Sequence, residues 1–94
     1  MLTERSELTI REGQEERFAI VMRDKGVALL QSVPGVVGVS VGRGVENPGK
    51  FLLLVQWENM NAHAAYSKTA VSREVRELIG PFSKGGSMEH FEMS

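Results

Sequence analysis

The segment Phe51-Leu52-Leu53-Leu54-Val55-Gln56-Trp57 constrains the fold more than any other part of the chain. Only Gln56 is polar, so an extended backbone here carries apolar side chains on both faces. The run is strand-length and rich in branched and aromatic residues, which places it inside a sheet rather than at an edge. Asn47-Pro48-Gly49 directly before it is a turn signal. Upstream of the turn, Val37, Val39 and Val41 alternate with Gly38, Ser40 and Gly42, giving one branched face and one nearly bare face. Two such runs around one turn predict an antiparallel hairpin.

The flanking segments read as helices and outer strands. Leu8-Thr9-Ile10 predicts a short first strand, which Glu12-Gly13 ends. Gln14-Glu15-Glu16 puts acids in a first helical turn, where they complement the positive end of the helix dipole. Phe18, Val21, Met22 and Leu29 carry that helix to about Gln31, weakened at Gly26, and Pro34-Gly35 stops it. Asn59 caps a second helix over Met60 to Tyr66. Ser67-Lys68-Thr69 interrupts it, and Val71, Val75, Leu78 and Ile79 resume helical spacing until Gly80-Pro81. After a Ser83-Lys84-Gly85-Gly86 loop comes a last strand, Met88 to Met93, with Met88, His90 and Glu92 on one face. The order βαββαβ predicts an α+β, ferredoxin-like fold with an antiparallel sheet.

Ninety-four residues make a single domain, 1–94, and a domain this small buries only about 60% of its unfolded surface. A second copy is the common remedy. Helices can cover just one face of the central strand, so the other face is expected to form an apolar patch that a homodimer would bury. The net charge is −1 and the signs are interspersed, as in Arg73-Glu74 and Arg76-Glu77, which argues against nucleic acid as a partner. Cysteine is absent, excluding disulfides, thiolate nucleophiles and cysteine zinc sites. The charged start Thr3-Glu4-Arg5 is no signal peptide and no apolar run would span a membrane, so a cytoplasmic location is the expectation.

Gln56-Trp57-Glu58-Asn59, Ala62-His63, Arg76-Glu77-Leu78-Ile79-Gly80-Pro81-Phe82 and Glu89-His90-Phe91-Glu92 resemble the antibiotic-biosynthesis-monooxygenase family. Val33-Pro34-Gly35-Val36 is similar to it as well, so the resemblance spans nearly the whole chain. It implies a dimeric α+β barrel with a pocket in each subunit between sheet and helices. It also implies a small-molecule substrate, in many members an aromatic polyketide or quinol oxidised without a cofactor. Trp57 and Arg76 resemble members of the pocket set in the polyketide-oxidising branch. That branch carries an Asn four residues before the Trp, where this chain has Leu53, with no polar group to orient a phenol. In the haem-degrading branch an axial His stands near Arg76, a Trp at Tyr66 and an Asn near Thr9; none is kept, and Arg cannot ligate iron.

The candidate site residues follow. His63 is the candidate general base, since imidazole exchanges protons near neutral pH. Arg76 is the candidate anion stabiliser, although it could equally be solvated or paired within its helix. Trp57 and Tyr66 are candidate substrate-binding aromatics, with a core role as the alternative for each. His90 is a third candidate for substrate binding, or a satisfied histidine at the barrel or dimer edge. Two histidines 27 positions apart with Glu58 or Glu89 nearby match no metal-ligand spacing, so neither a metal nor another cofactor is expected. The leading reading is a cofactor-independent oxidation of a planar phenol or quinol. The alternatives are an isomerase or cyclase using the same pocket, and a non-catalytic ligand-binding or regulatory dimer.

Overall fold

The computed structural model describes residues 1–94. β1 (Leu2–Ile10) is followed by α1 (Glu15–Val21), which runs through a π-helical turn at Met22–Gly26 into α2 (Val27–Gln31). Then come β2 (Val36–Arg43), β3 (Lys50–Trp57), α3 (Met60–Tyr66), α4 (Ala70–Ile79) and β4 (Ser83–Glu92). The strands form one antiparallel sheet in the order β2-β3-β1-β4. This is the α+β, ferredoxin-like arrangement that the sequence predicts, with the β2–β3 hairpin and the interior position of β3 as expected. No helix is long and apolar enough to cross a membrane.

Two strands are longer than predicted. β1 begins at Leu2 rather than Leu8 and β4 at Ser83 rather than Met88. In β1 the inward positions include Glu4 and Ser6, both buried, which erases the hydropathy alternation that marks a strand. In β4 the glycines belong to the ladder: Gly86 pairs with Leu8 and lies so close to the Glu7 carbonyl that a Cβ would collide with it.

The helices cover one face. Trp57, Val55, Leu53 and Phe51 of β3 point toward them and are buried, paired with Leu2, Glu4, Ser6 and Leu8 of β1. Phe18 and Met22 of the first helical stretch, with Leu30 and Val75, complete the core. The Phe18 and Phe51 rings meet edge to face at 4.9 Å.

The opposite face is not the apolar patch that β3 alone suggests. Leu52 and Leu54 project there, with Phe91 of β4 nearby, but β1 lies between them and carries Arg5 and Glu7. Arg5 pairs with Glu7 at 2.9 Å and with Glu89 at 2.6 Å, and Lys50 reaches Glu7 at 2.8 Å. This face is a charged band flanked by apolar side chains, because the strand next to β3 is amphipathic and not apolar.

The α3–α4 unit is placed by three local devices. Gly35, after α2, has φ +91°, and a Cβ there would lie 2.5 Å from the Ala62 Cβ, so its missing side chain admits α3 against this turn. The Asn59 side chain accepts from Ala62 N at 2.9 Å, capping α3 as predicted. Thr69 Oγ1 donates to the Tyr66 carbonyl at 2.7 Å and accepts from Ser72 N at 3.2 Å, ending one helix and starting the next. The break at Ser67-Lys68-Thr69 is thus a capped corner.

Candidate functional site

The inward face of the sheet and the α3–α4 corner enclose a cavity of about 490 Å³. His63 and Tyr66 line it from α3, Ser72 and Arg76 from α4, and Glu4 and Leu53 from the sheet. A larger groove of about 630 Å³ between α2 and α4 has Lys25, Glu74 and Glu77 on its walls. It contains no histidine, aromatic or buried polar group, so the chemistry lies in the first cavity.

Glu4 is the residue that sequence reasoning missed. Its carboxylate is buried, and Oε1 accepts from Trp57 Nε1 at 3.2 Å while Oε2 accepts from Ser6 Oγ at 3.1 Å. His63 Nε2 lies 3.4 Å from the same Oε1 and His90 Nε2 lies 4.0 Å from it. The two imidazoles meet directly, Nε2 to Nε2 at 3.3 Å. His90 reaches this point because it pairs with Glu4 across the β1–β4 ladder. A usable signal existed in the sequence: Glu4 is in phase with Leu2, Leu8 and Ile10, so any strand extending to the N-terminus turns it inward.

Four of the five predicted residues gather around this carboxylate. The ring of Trp57 lies 5.2 Å from that of His63 and 5.3 Å from that of Tyr66, and His63 and Tyr66 are 6.4 Å apart. Trp57 itself is fully buried, and its indole N–H is given to Glu4, leaving no donor there for a substrate. It forms the floor behind Glu4, His63 and Tyr66 and not an exposed wall. Arg76 stands apart on α4, where it donates to Ser72 Oγ at 3.0 Å and has no carboxylate partner. Its remaining N–H groups are free for an anion in the cavity.

The electrostatics favour a neutral imidazole. Burial holds the His63 pKa below its ordinary value of 6.5, with His90 acting in the same direction, although Glu4 opposes both. Burial also raises the Tyr66 phenol above 10.0, so Tyr66 is a neutral hydroxyl and no phenolate. A neutral base, a buried carboxylate beside it and an unpaired guanidinium form an arrangement that can take a proton from a ligand and hold the anion produced.

An antiparallel sheet with helices on one face and a polar-centred cavity between them defines a ferredoxin-like α+β domain. A family model described as antibiotic biosynthesis monooxygenase matches residues 1–78, and the chain belongs to that family. It is 28% identical over 94 residues to the uncharacterized protein YczJ of Bacillus subtilis, covering 98% of each chain. A protein of Bordetella bronchiseptica provisionally named an antibiotic biosynthesis monooxygenase superposes with a TM-score of 0.89 at 24% identity, over 99% of this chain and 96% of that one. A similarly named protein of Nitrosomonas europaea gives 0.84 at 15% identity, over 99% and 98%. At these identities the structural likeness establishes the fold.

Proposed function

We propose that this protein is a cofactor-independent monooxygenase-type enzyme acting on a planar phenol or quinol, with His63 as its base. The observation that carries the reading is the contact between His63 and buried Glu4 at the wall of the cavity. His63 Nε2 faces both Glu4 and His90, so a proton carried on that nitrogen leaves the neutral ring's lone pair on Nδ1, which has no partner within the chain. Nδ1 takes the phenolic proton, and the Glu4 carboxylate stabilises the imidazolium that results. Arg76 holds the phenolate oxygen. The cavity volume suits a substrate of a few fused rings.

Deprotonation raises the electron density of the ring enough for one electron to pass to dioxygen. The aryloxyl radical and superoxide then combine at a ring carbon, and the peroxide loses water to leave a quinone. One atom of dioxygen enters the product and the other leaves as water, so no external reductant is consumed. Oxygen uptake measured against a panel of phenols and quinols tests the reading, with His63→Ala and Arg76→Ala as controls. Turnover without oxygen uptake points instead to an isomerase or cyclase. Ligand binding without turnover points to a non-catalytic module, which the apolar Leu53 on the cavity wall favours.

The active form proposed is a homodimer joined through the outer sheet face. Leu52, Leu54 and Phe91 would then be buried around the Arg5 ion pairs.

A further inference from the structure

The geometry points to a divalent transition-metal site formed by Glu4, His63 and His90, with Zn²⁺ or Co²⁺ as the ion it suits. Their facing atoms, Glu4 Oε1 and the two Nε2 atoms, are separated by 3.3, 3.4 and 4.0 Å. A point equidistant from three atoms so arranged lies about 2.1 Å from each, which is the length of a zinc–imidazole or zinc–carboxylate bond. Two bonds of that length stand about 3.4 Å apart at their ends in a tetrahedral site and about 3.0 Å in an octahedral one. The two shorter separations match the tetrahedral value, and closing the His90–Glu4 edge by about 0.6 Å completes it.

The donor set supports the same assignment. Two imidazoles and one carboxylate, leaving a fourth position for water or a ligand oxygen, are the ligands of a catalytic zinc site. Each imidazole nitrogen offers one in-plane position, holding either a proton or a lone pair. A proton can link two of the three atoms, whereas a cation at the centre links all three. The Glu4 side chain is only 7% exposed, unlike the surface carboxylates that often lie near histidines without binding an ion. It is also already oriented by Trp57 and Ser6, the outer partners that a ligating carboxylate requires. Sequence spacing hid the site because the carboxylate comes from Glu4, at the far end of the chain from His90, and not from Glu58 or Glu89.

The site goes beyond the proposed oxidation and competes with it. An ion on His63 Nε2 forces the ring proton onto Nδ1 and removes the base. The test uses the untagged full-length chain, freed of metal by a chelator and then titrated with Zn²⁺ by calorimetry and with Co²⁺ by visible absorption. The expected result is one ion per chain at micromolar affinity or better, with the intense visible bands of tetrahedral Co²⁺. His90→Ala and Glu4→Gln should each weaken Zn²⁺ binding by about 100-fold or more, while Glu89→Gln on the outer face leaves it unchanged. His90 is partly exposed on an edge strand, so its truncation keeps the test valid should Glu4→Gln fail to fold. Absence of saturable binding, or binding that persists in His90→Ala, overturns the site. Oxidase activity of the metal-free protein is a separate readout: activity without ion binding removes only the metal site, and ion binding without activity removes only the His63 base.

Discussion

Trp57 and Glu4 are diagonal neighbours across the β1–β3 pair, and the indole N–H of one donates to the carboxylate of the other at 3.2 Å. The direct partners in the register are Leu2 with Trp57 and Glu4 with Val55, so the bond crosses one pleat. It lets a carboxylate sit in the core of a domain with little stability to spare. It also aims Oε1 at both histidines.

Removing that donor should therefore be costly. Trp57→Phe deletes the indole N–H and some ring volume, leaving Glu4 with one hydrogen-bond donor fewer in a buried position. A loss of about 1–3 kcal/mol is expected in urea unfolding, together with a slower phenol oxidation. An unchanged unfolding midpoint would show that the bond contributes nothing.

The pH dependence of His63→Ala separates base from bystander. The wild type has a neutral base above the depressed His63 pKa and loses it below, whereas the variant has none at any pH. The gap in rate between them should be widest above the His63 pKa and narrow toward acid. Parallel profiles throughout exclude His63 as the base. Stability follows the same sign: the unfolded chain binds this proton below pH 6.5 while the native state resists it. Stability attributable to His63 is thus intact above 6.5 and declines as pH falls from there toward the native pKa.

Gly35→Ala tests how α3 is seated. The new methyl meets Ala62 and the backbone stays in a left-handed conformation, so about 2 kcal/mol of destabilisation is expected. If α3 shifts to relieve the contact, the Trp57–His63 geometry goes with it, and ligand binding should weaken even where the chain remains folded. A variant with wild-type stability and binding would mean that the turn is not tightly constrained.

Light scattering at micromolar concentration should return the mass of two chains. Leu52→Glu adds a charge to the outer face without touching the cavity, and the mass is expected to fall to that of one chain. A wild-type monomer would sink the dimer proposal outright, since the ion-paired outer face can be solvated without a partner.

Much of this architecture was readable from local pattern. The apolar run of β3, its turn, the alternating β2 and the capped helices are consequences of side-chain periodicity and backbone preference, which neighbouring residues alone determine. His63 and Tyr66 could be named from their chemistry and their place on a helix, and Trp57 and Arg76 from the family resemblance. The meeting of Glu4 with both histidines was decided only by tertiary structure. The first half of β1 carries Glu4 and Ser6 on its inner face, so hydropathy marked only Leu8 to Ile10 as a strand. Its place between β3 and β4 brings positions 4, 63 and 90 together through pairings that no local spacing encodes. The outer sheet face depended on that same strand order, because putting Arg5 and Glu7 beside Leu52 and Leu54 turns an apolar surface into an ion-paired one.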